Sequence, residues 1–214
     1  MTSSDTPRPD TARPDPTLTV RGFRIHEAFL SPEDQRLMVA ELRAVARAAP
    51  FIAPETRFGK KMSVRMTSAG SHGWISDRRG YRYDLRHPSG VEWPPVPDTV
   101  AAVWRAVSGV GRDPDCCLIN YYGEGARMGL HQDKDEADFK WPVVSISLGD
   151  EGLFRIGNPT REGSTESIWL RSGDVVVMEG DARLTYHGVD RIRFNSSTLL
   201  PDGGRINVTL RVVS

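Results

Sequence analysis

The chain is 214 residues long, carries 28 basic and 28 acidic residues for a net charge of zero, and is 38% apolar. That length suits one domain with a sound core, and the composition excludes disorder throughout. A zero charge balance excludes a global pull towards nucleic acid or an anionic membrane, so any such partner must be read by a local patch.

Residues 1 to 18 hold Pro7, Pro9, Pro14 and Pro16 among Asp, Thr and Ser. Such a stretch cannot bury apolar surface and predicts a disordered leader, with one domain over 19–214. There is no apolar signal core and no run long enough to span a bilayer, so no membrane partner is expected. The only cysteines, Cys116 and Cys117, are adjacent and predict no disulfide framework, which points to the cytoplasm.

Leu18 to Ile25 reads as a first strand. Ser31-Pro32-Glu33-Asp34 is a helix start, with a Ser cap, Pro at the first helical position and acids in the first turn. The helix carries Leu37, Met38, Leu42 and Val45 as its core face and stops before Pro50. Lys61 to Thr67 reads as a strand. Between Glu55 and Arg86 lie eight basic residues (Arg57, Lys60, Lys61, Arg65, Arg78, Arg79, Arg82, Arg86) and three acids (Glu55, Asp77, Asp84), interleaved with Trp74, Tyr81 and Tyr83. Positive charge for phosphates beside flat rings for stacking is the chemistry of single-strand or flipped-base binding. A solvated basic surface over ordinary core aromatics is the alternative.

Asp98 caps a second short helix with Val100, Val103, Trp104 and Val107 on one side. Cys116 to Tyr122 is a strand with Leu118, Asn120 and Tyr122 on one face. Further strands are expected at Val143–Leu148, Leu153–Ile156, Ser167–Leu170, Asp174–Met178 and Ile206–Val213, separated by Gly, Pro, Asp and Ser turns. Short strands punctuated this way predict a mainly β (α+β) fold, two sheets facing each other as a jelly roll or double-stranded β-helix, flanked by the helices.

The chemistry concentrates in Leu130-His131-Gln132-Asp133-Lys134-Asp135. In a strand, His131 and Asp133 point to the same side. With a distant second histidine, His187, they complete the two-His-one-carboxylate set that suits non-haem Fe(II) with open positions. Such a centre needs an electron-donating cosubstrate, and Arg205 or Arg211 could hold its carboxylate through paired donors. Each element alone is ordinary; their order along the chain is restrictive.

Residues 115–149, from Asp-Cys-Cys-Leu-Ile-Asn-Tyr-Tyr through Leu-His-Gln-Asp-Lys-Asp to Val-Ser-Ile-Ser-Leu-Gly, resemble the AlkB family of DNA dealkylases. So do Ser172-Gly173-Asp174-Val175-Val176-Val177, Tyr186-His187-Gly188 and Arg205-Ile206-Asn207-Val208-Thr209-Leu210-Arg211. Met62-Ser63-Val64-Arg65-Met66-Thr67, Gly73-Trp74 and Gly80-Tyr81-Arg82-Tyr83 are similar to that family's nucleotide-recognition lid, here about 50–90. The resemblance runs from about residue 20 to the end. It implies an Fe(II)- and 2-oxoglutarate-dependent dioxygenase that uses O2 to oxidise the methyl group of bases such as 1-methyladenine and 3-methylcytosine. Formaldehyde, succinate and CO2 are released.

On this resemblance His131, Asp133 and His187 hold the metal. Arg205 pairs with the far carboxylate of 2-oxoglutarate, aided by Tyr122 and Asn207, while Arg211 and Asn120 serve the end near the metal. Trp74 and Tyr81 take base stacking and phosphate contact, and Tyr83 and Arg161 further phosphate or sugar contacts. Asp135 favours the cationic methylated base and accepts from its exocyclic amine. Met62 and Met66 could line the same pocket, with plain core filling as the alternative, and Met178 stands where some members have Trp. The implied partner is alkylated single-stranded DNA, with double-stranded DNA or RNA as further candidates, and a monomer is the default. The competing readings are a dioxygenase of the same fold acting on a protein or small molecule, and a non-enzymatic β-sandwich that binds nucleic acid.

Overall fold

The computed structural model describes residues 13–56 and 59–214, so most of the expected leader, and Arg57 of the basic segment, lie outside the described residues. From Arg13 to Thr17 the chain is held against the fold. The Arg13 guanidinium pairs with Glu179 at 3.0 Å, and the Thr17 N–H donates to the Ile25 carbonyl at 2.9 Å. The expected first strand is a hairpin, β1 (Leu18–Val20) and β2 (Phe23–His26). Arg21 and Gly22 have φ of 49° and 83°, the positive pair that a tight two-residue turn demands. The apolar alternation slips by one residue across that turn, from Leu18 and Val20 to Phe23 and Ile25, a phase change that the single-strand reading passed over.

Helix α1 (Pro32–Ala48) starts as expected, with the Ser31 hydroxyl accepting from the Asp34 N–H at 3.1 Å. Met38, Val39, Leu42 and Val45 are its buried stripe. Leu37, expected in the core, is 53% exposed, because one residue's turn of about 100° carries it off that stripe. Helix α2 (Asp98–Val107) buries Val100, Val103, Trp104 and Val107. Its cap is Pro97, and Asp98 is the first helical residue, where a carboxylate suits the positive end of the helix dipole without a capping bond.

The other strands are β3 (Val64–Gly70), β4 (Gly73–Asp77), β5 (Gly80–Asp84), β6 (Cys116–Tyr122), β7 (Met128–His131) and β8 (Val143–Gly149). They continue with β9 (Glu151–Ile156), β10 (Glu166–Leu170), β11 (Val175–Met178), β12 (His187–Arg193) and β13 (Arg205–Arg211). A seven-stranded antiparallel major sheet has the order β1-β2-β11-β8-β13-β6-β3, and a four-stranded minor sheet the order β10-β9-β12-β7. This is the expected jelly roll. Strands β4 and β5 form a separate two-stranded hairpin. Of the stretch 50–90, therefore, β3 belongs to the major sheet and only the hairpin and its flanks overhang it.

Alternation along the central strands builds both layers. Ile206, Val208 and Leu210 of β13 pack with Ile119 of β6, Val144 and Ile146 of β8, and the buried stripes of α1 and α2. The intervening Arg205, Asn207, Thr209 and Arg211 face the minor sheet, where a polar site is wanted. Strand β8 alternates in the same way, with Val144, Ile146 and Leu148 in the core below the helices and Ser145 and Ser147 bonded to Asn207 and Arg205 on the site face.

Candidate active site

The histidines come together because they are cross-strand partners: His187 on β12 lies opposite His131 on β7, ring centroids 4.6 Å apart. Opposed positions in antiparallel strands place side chains within contact distance. The strands close tightly here, since a Cβ at Gly188 would lie 2.6 Å from the Met128 carbonyl oxygen. Asp133 lies just past the end of β7, in a loop rather than the expected strand, yet still points to the same place. His131 Nε2 is 3.8 Å from Asp133 Oδ1, and His187 Nε2 is 3.8 Å from Asp133 Oδ2.

These three side chains fit a metal. One ligand atom from each lies within 4.8 Å of the others. The Nδ1 atom of His131 faces the Gly129 carbonyl at 2.9 Å, and that of His187 faces the Thr185 carbonyl at 3.0 Å. Each carbonyl requires a proton on Nδ1 and leaves the Nε2 lone pair for a cation. Burial, with His131 alongside, pushes the His187 pKa down to about 4 against the pull of Asp133. Its ring is neutral at physiological pH, as a ligand must be. Burial would raise the Asp133 pKa, but Arg211, His187 and His131 overcome it and hold the carboxyl below the usual range. Two imidazoles and one carboxylate on one side of a point, with the cavity on the other, is the donor set for non-haem Fe(II).

The cavity has a volume of about 400 Å³ and is lined from below by Asn120, Tyr122, Ser145, Arg205 and Asn207. Arg205 is 1% exposed. It donates to the carbonyls of Asp150 and Leu170, each at 3.2 Å, and to Ser147 Oγ at 2.7 Å, while its Nε finds no partner. None of these acceptors is a carboxylate, and burial pushes the guanidinium pKa down to about 10. A buried guanidinium that has a free donor and no ion pair among the described residues fits an incoming carboxylate. Tyr122 is the direct cross-strand neighbour of Arg205, and Asn120 that of Asn207. The Asn120 side-chain oxygen is buried without a partner, whereas the Asn207 amide is engaged by Ser145 at 2.7 Å. The Arg205 end of the floor therefore fits a carboxylate, its Nε donor having no partner among the described residues, whereas the Asn120 oxygen is an acceptor and suits a donor.

Arg211 is placed differently from expectation. It does not line the cavity but lies behind Asp133, with Nη2 at 2.7 Å from Asp133 Oδ1 and Nε at 3.1 Å from Glu136 Oε1. Its charge is taken up by protein carboxylates.

The hairpin forms the roof. Trp74 and Tyr81 stack with centroids 5.4 Å apart, and both line the cavity with Met62, Met66, Asp135 and Arg161. Trp74 Nε1 donates to Asp135 Oδ2 at 2.9 Å. Asp135 and Arg161 are exposed at the rim, and the Arg161 guanidinium lies 5.6 Å from the Tyr186 ring centre. Tyr83, expected at phosphate or sugar, turns inward and donates its hydroxyl to Glu136 at 2.7 Å. That hydroxyl is committed to the protein, because a buried carboxylate needs its donors. Met178 is 2% exposed and closes the far wall.

The basic segment is less charged than its composition. Arg79 and Arg82 pair with Asp77, Arg82 also with Asp84, and Arg86 with Glu92. Lys60, Lys61 and Arg78 are exposed beside them.

Sequence reasoning missed Glu136, Arg183 and Gly152. Glu136 and Arg183 form a buried ion pair at 3.1 Å with side chains 1% and 2% exposed. A Cβ at Gly152 would lie 2.8 Å from Arg205 Nε, so only glycine leaves the guanidinium its place. A charged pair separated by 47 residues leaves no local pattern to read.

Comparison with known proteins agrees with this geometry. The model of the 2OG-Fe(II) oxygenase superfamily matches residues 22–211. An alpha-ketoglutarate-dependent dioxygenase AlkB homolog of Caulobacter vibrioides is 51% identical, over 92% of this chain and 90% of that protein. The alpha-ketoglutarate-dependent dioxygenase AlkB of Escherichia coli is 38% identical, over 81% of this chain and 82% of that protein. The solved structure of OsALKBH1 is 28% identical, with a TM-score of 0.78, covering 91% of this chain and 99% of that one. A non-enzymatic sandwich is thereby set aside: the chain belongs to the AlkB family of Fe(II)- and 2-oxoglutarate-dependent dioxygenases.

Proposed function

We propose that the enzyme repairs alkylated nucleic acid by oxidative demethylation, with 1-methyladenine and 3-methylcytosine in single-stranded DNA as its first substrates. The observation that carries the proposal is the roof: a stacked Trp74–Tyr81 pair and the Asp135 carboxylate lie over the same cavity whose wall holds His131 and His187. A flat cationic base suits that arrangement, since rings stack on aromatics and a carboxylate favours positive charge.

In this reading His131, Asp133 and His187 hold Fe(II). Arg205, with Tyr122, takes the far carboxylate of 2-oxoglutarate, and Asn207 shapes the same floor. Asn120 serves the end near the metal, and Arg211 acts there by orienting Asp133 rather than by lining the cavity. Fe(II) held there with 2-oxoglutarate and O2 would supply the oxidation, one oxygen atom going into the methyl C–H bond and the other into succinate as CO2 departs. The N-hydroxymethyl base then releases formaldehyde. Arg161 and Tyr81 at the rim meet the phosphate and sugar of the extruded nucleotide, with Lys60, Lys61 and Arg78 along the strand. Asp135 accepts from the exocyclic amine. The domain spans residues 19–214 and works as a cytoplasmic monomer; its two buried cysteines are free thiols.

The test is incubation with Fe(II), 2-oxoglutarate, air and a single-stranded oligonucleotide carrying one 1-methyladenine, followed by mass spectrometry. The expected result is loss of the methyl group, dependent on 2-oxoglutarate and absent in His131→Ala. An unchanged oligonucleotide with 2-oxoglutarate still consumed would instead assign a protein or small-molecule substrate. Parallel double-stranded DNA and RNA substrates rank the strand preference.

A further inference from the structure

Behind the cavity, four charged groups form a set away from water, with a half-buried phenol at its edge. Glu136, Arg183, Arg211 and Asp133 have side chains 1%, 2%, 6% and 7% exposed. The two guanidiniums balance the two carboxylates, which makes burial tolerable. Arg183 reaches three ways: Nε to the Trp141 carbonyl at 2.9 Å, Nη1 to the Asp133 carbonyl at 2.6 Å and Nη2 to Glu136 Oε2 at 3.1 Å. Arg211 Nη2 holds Asp133 Oδ1 at 2.7 Å, and its Nε lies 3.1 Å from Glu136 Oε1, as an ion pair whose N–H is not aimed along that line. The backbone oxygen and one side-chain oxygen of Asp133 are thus both held by arginines that Glu136 in turn holds. The same Glu136 Oε1 accepts from the Tyr83 hydroxyl at 2.7 Å, and Tyr83 belongs to β5 of the roof hairpin. Tyr83 lies opposite Trp74 in the register of that hairpin.

We propose that Glu136 is a positioning residue that orients Asp133 through Arg183 and Arg211 and, through Tyr83, joins the metal ligand to the roof. The proposal rests on the reading of His131, Asp133 and His187 as the metal site. Glu136 touches neither cavity nor metal ligand; it acts through the arginines. Groups that orient metal ligands from behind typically change metal affinity about 10- to 100-fold when altered. Coupling between roof and metal must also be reciprocal, so metal binding should steady the hairpin.

The experiment uses the full chain and Mn(II), a redox-silent stand-in for Fe(II), with 2-oxoglutarate present. Wild type, Glu136→Gln and Tyr83→Phe are titrated, and amide hydrogen exchange is followed in Gly73–Asp84. The expected results are Mn(II) affinity about tenfold weaker in Glu136→Gln, metal-dependent slowing of hairpin exchange in wild type, and loss of that slowing in Tyr83→Phe. A merely structural role would lower the melting temperature without moving the affinity of the folded protein. The inference is overturned if folded Glu136→Gln binds Mn(II) as wild type does, or if Tyr83→Phe keeps the metal-dependent slowing. Should Glu136→Gln not fold, Tyr83→Phe decides, since it removes one oxygen atom. Wild type that binds no Mn(II) would instead overturn the metal-site reading itself.

Discussion

The floor and the roof of the cavity are held by different physics. The floor is strand on strand: Arg205, Asn207, Asn120 and Tyr122 project from β13 and β6, both interior to a seven-stranded sheet with helices behind it. Side chains on such strands have little freedom, and burial magnifies every charge among them. The roof is a two-stranded hairpin outside both sheets, stiffened within by the Trp74–Tyr81 stack and tied down by the bonds of Trp74 to Asp135, Tyr83 to Glu136, Ser76 to Glu55 and Trp93 to Asp84, with Ile75 packed beside Ala49 and Trp93. An isolated hairpin of this size is marginal in water. The floor is built to be fixed and the roof to admit a bulky substrate. Regions of low local stability are where binding elements are drawn from.

Substitutions should sort by that difference. His187→Ala is expected to have the largest effect, abolishing 2-oxoglutarate consumption with and without oligonucleotide; any residual coupled turnover would show that the metal set is other than proposed. Arg205→Lys comes next. Losing charge-assisted bonds at a buried site costs about 1.5–3 kcal/mol, so the KM for 2-oxoglutarate should rise roughly 10- to 100-fold. The oligonucleotide KM should stay put, and movement of both would blur floor with roof. Trp74→Ala should do the reverse. It weakens oligonucleotide binding by about 1–3 kcal/mol of stacking while metal and cosubstrate affinities hold, as separate titrations would show. Asp135→Asn keeps an acceptor and removes the charge, so the preference for 1-methyladenine over a neutral lesion should fall by roughly tenfold. Arg79→Ala should matter least, within about twofold at physiological salt, because its pair with Asp77 is exposed and screened.

Legibility in the sequence followed the same division. The grouping of His131, Asp133 and His187 and the strands β6, β8 and β13 could be read because residue chemistry and local alternation specify them. Helix α1 could be read to its first residue from Ser31 and Pro32. The roof was read through family likeness more than pattern, and there the detail slipped. Tyr83 shares its alternation with Tyr81, yet one is half-buried with its hydroxyl on Glu136 and the other is 52% exposed. The difference comes from how far each residue lies under the overhang, a tertiary fact with no local signature. Arg211 was misplaced relative to the cavity for a similar reason, since its partner Glu136 is 75 positions away along the chain and nothing nearby announces the pairing. The Arg21–Gly22 turn was missed because the apolar pattern resumes beyond that two-residue reversal with a slip of only one residue.

With Asp135 in the base-reading role proposed above, its hydrogen bond from Trp74 would turn recognition into an exchange. The carboxylate that would read the base already has an occupant, the enzyme's own indole. An ordinary base offering a single N–H replaces like with like and gains nothing from the swap. A base with a fixed positive charge offers what indole lacks, a Coulomb attraction to the carboxylate added to the N–H. Discrimination then depends on the difference between two guests competing for one seat, not on the absolute strength of either. An enzyme that must pass over very many intact bases for each damaged one is served by a resident competitor that only the damaged base displaces.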